Sequence, residues 1–144
     1  MIRPIALAIA LLMPAAIDGS LLAEVVPEVL IAEKKEELGL DDVERLTKEA
    51  AEAEEVGNYQ KSIEILEQIL PIEKQELGPE HADVAGTLQW LGKTSRELEN
   101  YEDAETYFKR ALAIEEKTLG KDHRDLAITL YWLGVTSNEL ENPI

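Results

Sequence analysis

LGPEHADVAGTLQWLGKTSRELENY, residues Leu77–Tyr101, is written again 42 residues later as LGKDHRDLAITLYWLGVTSNELENP, residues Leu119–Pro143. The two segments align without a gap and agree at 16 of 25 positions. The same frame extends backwards, from EVGNYQKSIEILEQILPIEKQELG at Glu55 to ELENYEDAETYFKRALAIEEKTLG at Glu97. A period of this length means stacked supersecondary units, none of which buries its apolar face alone. The chain is an internal repeat, and its fold follows from one unit.

Each unit reads as two helices. After His81, the residues Val84, Leu88, Leu91, Ser95 and Leu98 keep helical spacing and form one face. Gly92 sits one turn from Leu88, where a missing side chain admits a neighbouring helix. Asn100 breaks the run and is expected to cap the next helix with its side chain, with Asp103 favourable in the first turn. In that second helix Tyr101, Ala104, Phe108, Ala111, Leu112 and Ile114 form the buried face. Leu119-Gly120 ends it, glycine being the usual left-handed terminator.

Leu88, Leu91, Gly92, Tyr101, Ala104, Phe108 and Ala111, with ALAIEEKTLGKDH from Ala111, resemble the tetratricopeptide repeat in its 42-residue form, as in kinesin light chains and many bacterial proteins. The resemblance covers about Leu30 to Asn142. It implies an all-α helical-hairpin solenoid, a short right-handed superhelix, in which the first helix of each pair lines a concave face that holds partner peptides. On this frame residues 39–80 form the first repeat, residues 81–122 the second, and residues 123–144 a half repeat with only the first helix.

The first unit departs from the pattern. Glu49 stands where the second has Leu91, and LGLDDVERL is three residues shorter than LGPEHADVAGTL. Pro71 falls inside the second helix, where proline costs about 3 kcal/mol and bends the axis; a bend adjusting the superhelix is expected. Upstream, VLIAEKKEELG echoes ILPIEKQELG, so residues 20–38 read as a lone second helix. Residues 1–19 differ: Arg3, then an apolar run from Ile5 to Ile17, then Asp18 and small residues. That run is too short to span a bilayer and has the layout of a signal peptide, with cleavage after Ala16 or Gly19. An exported protein, periplasmic or extracellular and without a membrane anchor after cleavage, is expected.

Fourteen basic residues stand against 30 acidic ones, for a net charge of −16. Nucleic-acid binding needs a basic footprint, so that class is excluded, as is docking on anionic lipid. The absence of cysteine excludes disulfides, thiolate metal sites and a cysteine nucleophile. His81 and His123 recur at the repeat period beside aspartates, which points to a turn or capping role rather than a metal site. Trp90 and Trp132 recur likewise, as packing between units. The run EAAEAEE, Glu49–Glu55, supplies paired carboxylates with no histidine partner or substrate loop, and reads as a solvated helix face. No cofactor motif and no catalysis are expected.

Carried over position by position, the resemblance places Glu44, Thr47, Ala51, Glu54 and Glu55 of the first unit on the groove. The second unit contributes Gly86, Gln89, Lys93, Arg96 and Glu97, and the third Ile128, Tyr131, Val135, Asn138 and Glu139. Thr47 and Ala51 replace the residues of the family's carboxylate clamp, so capture of a free C-terminus is not implied. A protein segment bound on a groove that includes Gln89, through Lys93 and Arg96 at an acidic residue and through Tyr131 at an apolar one, is. The last helix is apolar around most of its circumference, with Trp132, Leu133 and Leu140 the candidates for self-association into a homodimer. Asn142-Pro143 has the form of a helix start, so the expectation of a longer protein with a further domain stands beside those of a groove-binding scaffold and a self-associating module.

Overall fold

The computed structural model describes residues 38–141, and among them there are five helices and no strand. They are α1 (Leu40–Glu55), α2 (Tyr59–Glu76), α3 (Ala82–Glu97), α4 (Tyr101–Leu119) and α5 (Leu126–Glu141). Each packs on the next, and α3 also touches α5. The order is therefore two helical hairpins and a fifth helix of the first type, as the repeat predicts. The proposed signal peptide and most of the lone N-terminal helix lie outside the described residues.

The helices form where the spacing places them because each buries one stripe. Leu46 and Ala50 of α1 meet Ile65, Leu66, Ile69 and Ile72 of α2, and Val84, Leu88 and Leu91 of α3 continue the same core. Ala104, Phe108 and Ala111 of α4 are fully buried. A Cβ built on Gly92 would meet the Phe108 ring at 2.8 Å, so α3 and α4 approach as they do only because that position is glycine. In the first unit the equivalent pair is Ala50 and Leu66, both fully buried. A methyl gained on one helix is matched by a smaller side chain on the other.

Helix ends follow the sequence with exceptions. Asp42 reaches back to the Gly39 N–H at 3.1 Å and starts α1. The side chain of Asn58 accepts from the Lys61 N–H, but that of Asn100 makes no capping bond, contrary to expectation. There Glu102 and Asp103 put negative charge in the first turn, which the helix dipole favours. Gly120 ends α4 at positive φ, 88°, yet with ψ 151° rather than the left-handed helical value. Glu99 has φ 59° at the place where the first unit carries Gly57, φ 74°.

The helix α2 continues through Pro71 to Glu76. Proline is exposed there, so the Glu67 carbonyl that loses its N–H partner lies on the wet side of the helix. Glu49, in the place of a core leucine, pairs with Arg45 at 2.8 Å on the surface. His81 and His123 each accept from the N–H two residues on, Asp83 and Asp125, through Nδ1. The turn role that their recurrence implied is thus the one they have. In the third unit the helix begins only at Leu126, after the turn bonds Leu126 N–H to His123 O and Ala127 N–H to Arg124 O.

Candidate functional site

The first-type helices α1 and α3 leave between them a cleft of about 770 Å³. Glu54 and Glu55 enter it from the end of α1 and Tyr59 from the start of α2. From α3 come Gly86, Gln89, Trp90, Lys93 and Glu97. Six of the groove positions expected of the first two units, Glu54, Glu55, Gly86, Gln89, Lys93 and Glu97, are brought together here.

Glu54 organises the wall. Its Oε1 accepts from the Ser62 hydroxyl at 3.0 Å, the Trp90 indole N–H at 2.6 Å and the Thr94 hydroxyl at 2.5 Å. Ser62 and Thr94 are fully buried, so this carboxylate satisfies two hydroxyls that have no access to water. The expectation that the whole run Glu49–Glu55 is a solvated face fails at this residue. Its donors come from α2 and α3, 8, 36 and 40 residues away in sequence, where no local pattern reveals them. One signal was present: at the 42-residue period Glu54 aligns with Arg96, a reversal of charge beside a repeated tryptophan.

In the second unit the reversal has a structural counterpart. The Arg96 guanidinium stands over the Trp132 ring, Cζ 5.0 Å from its centroid, and the Lys93 ammonium lies 5.8 Å from the same ring. Arg96 Nε is buried without a hydrogen-bond acceptor, so the ring face is its main compensation. Tyr131 meets Trp132 edge-on at 5.3 Å. Both cations expected to bind a ligand are therefore gathered on one aromatic ring.

Gln89 ties three helices: its amide donates to Glu115 Oε1 of α4 at 2.5 Å and to Thr129 Oγ1 of α5 at 2.7 Å. On α5 Ile128, Leu130 and Tyr131 are 57%, 49% and 62% exposed, and Asn138 is exposed further along. Trp132, Leu133, Val135 and Leu140 are half-buried. Apolar surface is thus less extensive than the sequence suggested, because Leu126, Thr129 and Thr136 turn inward. Gly134 occupies on α5 the place of Gly92 on α3, and nothing lies within 4 Å of a Cβ built there.

Among the described residues no group of three or more His, Cys, Asp or Glu side chains is placed to hold a metal ion, and no helix is long and apolar enough to cross a membrane. The site offers carboxylates, two cations on an aromatic ring, and apolar side chains along one side of the array.

Among curated proteins nothing matches this sequence. A family model described as Tetratricopeptide repeat matches residues 50–117 and again residues 83–143. These two overlapping matches together cover residues 50–143, which is more than half of the chain, and the chain belongs to the tetratricopeptide repeat family.

Proposed function

We propose that this protein is a non-catalytic scaffold that holds a segment of another protein along the side formed by α1, α3 and α5. Repeats of this family are generally protein–protein interaction modules. The observation that carries the reading is the cleft between α1 and α3, with Lys93 and Arg96 at Trp132 beyond it and exposed Ile128 and Tyr131 further on. Val135 and Asn138 extend that surface along α5. Export through residues 1–19 is part of the proposal and rests on their charge and apolar pattern.

The test is retention of a partner from host extract on immobilised protein, comparing the native chain with the Gly86→Trp variant, whose side chain would fill the cleft. The native chain is expected to retain a protein that the variant does not, with both eluting as the same oligomer in light scattering. Identical retention by the two would refute the groove reading. A second reading is favoured by the exposure of Ile128, Leu130 and Tyr131: α5 pairs with a second copy. A concentration-dependent dimer that Tyr131→Glu converts to monomer is its expected signature, and a native monomer at every concentration would reject it.

A further inference from the structure

We infer that the segment held in the groove carries an arginine or lysine whose side chain enters the cleft beside Trp90 and pairs with Glu54, Glu55 and Glu97. This rests on the groove reading above and adds the chemistry of the partner.

The first argument is charge. The cleft presents three carboxylates, Glu54, Glu55 and Glu97, against one ammonium, Lys93. That ammonium lies toward the Trp132 ring. Neither Glu55 nor Glu97 makes an ion pair among the described residues. They are equivalent residues 42 positions apart, so the repeat itself places one carboxylate from α1 and one from α3 in the same cleft. The net charge of −16 adds a field that draws a basic segment in and slows an acidic one.

The second argument is pre-organisation. Three donors fix the Glu54 carboxylate, and all three bonds fall on Oε1. A carboxylate has about four lone-pair sites on its two oxygens, so Oε2 remains for a donor arriving from the cleft. A guanidinium or ammonium that meets a carboxylate already held in place loses less freedom in binding. Tyr59 and Trp90 line the same cleft and give the alkyl stem of a long basic side chain apolar surface to cover.

The third argument is internal. In the second unit the chain fills the tryptophan's neighbourhood with its own guanidinium, Arg96 on Trp132 at 5.0 Å. In the first unit the residue in Arg96's place is an acid, Glu54, and the tryptophan in Trp132's place, Trp90, faces it. A partner's arginine there meets a carboxylate and an indole together. The volume of about 770 Å³ has room for a peptide segment and not merely for one side chain.

The experiment uses the full chain and three pools of fluorescein-labelled twelve-residue peptides. Each pool is degenerate in small and apolar residues and has a fixed central Arg, Glu or Leu. Binding is read by anisotropy, and its place by the two indole N–H resonances of Trp90 and Trp132. The Arg pool is expected to bind about tenfold tighter than the other two at low salt and to move the Trp90 resonance. Glu55→Gln/Glu97→Gln, which alters exposed residues and spares the Glu54 network, should lower that affinity about tenfold, while Glu64→Gln/Glu76→Gln, at exposed positions of α2, should not. If the Glu or Leu pool binds as tightly and moves the same indoles, the groove reading survives and the basic side chain is refuted. If both double variants weaken the Arg pool equally, the attraction is diffuse and the site is refuted. If no pool moves either indole, the groove reading and this inference fail together.

Discussion

The indole N–H of Trp90 in α3 donates to Oε1 of Glu54 in α1 at 2.6 Å, across a sequence distance of 36 residues. That bond joins first-type helices of successive units and sets one wall of the cleft. Because the same oxygen also accepts from Ser62 and Thr94, its loss leaves the buried Ser62 hydroxyl unpaired, while the Thr94 hydroxyl keeps the Trp90 carbonyl at 3.0 Å. Glu54→Ala should lower stability by about 2–3 kcal/mol. Trp90→Phe removes a single hydrogen bond and some area and should cost less, about 1–2 kcal/mol. Thermal unfolding followed by circular dichroism checks both, and the double variant should cost less than the sum because the two act through one bond.

The pair Gly92 and Phe108 makes a second prediction. Gly92→Ala places a methyl 2.8 Å from a fully buried ring and should destabilise by about 1–3 kcal/mol. Adding Phe108→Leu should restore much of that, since the first unit already packs Ala50 on Leu66 in the same places. Gly134→Ala is the control. It lies in mid-helix with nothing within 4 Å, so it should stabilise by up to about 1 kcal/mol.

Glu99 occupies the left-handed region that Gly57 occupies in the first unit. Glu99→Gly should therefore raise the unfolding midpoint by a few degrees, corresponding to about 1 kcal/mol of relieved strain. A fall in the midpoint would mean that this turn carries no strain.

Glu73 supplies a pH dependence. It is 5% exposed, and burial holds its carboxyl above the ordinary value of 4.5, with Asp83 pushing the same way and the Thr87 hydroxyl and His81 opposing. One of its oxygens, Oε2, is buried without a partner. A carboxyl whose folded pKa is raised costs stability when ionised. That cost is full above the folded value and is relieved as pH falls through it toward 4.5. Glu73→Gln should stabilise by about 1 kcal/mol at pH 7, and the gain should shrink as the solution is acidified. A gain independent of pH would show that burial does not raise the Glu73 carboxyl above its unfolded value.

The repeat made the helix pairs legible because identical residues 42 apart have to occupy equivalent places; Leu88, Gly92, Ala104 and Phe108 are packed as their spacing implies. Recurrence also gave His81 and His123 their turn role. What recurrence cannot show is what differs between copies. Glu54 and Arg96 are aligned and opposite in charge, and only the structure shows the first bound to an indole N–H and the second to an indole face. The cap expected at Asn100 is absent and one not singled out in the sequence is present at Asn58, although the two asparagines have nearly the same backbone angles. Groove positions on α1 and α3 converge because consecutive first-type helices stand side by side. On α5, which is apolar around most of its circumference in sequence, Leu126 is buried while Ile128, Leu130 and Tyr131 remain exposed.

The central claim is that a partner lies on the side of the array made by α1, α3 and α5. It is tested most directly by placing a photo-crosslinking residue at Gly86, inside the cleft, and in a second protein at Glu64, exposed on α2. Illumination in the native host should join a single partner segment to position 86, and nothing comparable to position 64. Equal products at both positions, or products only at 64, would contradict the account.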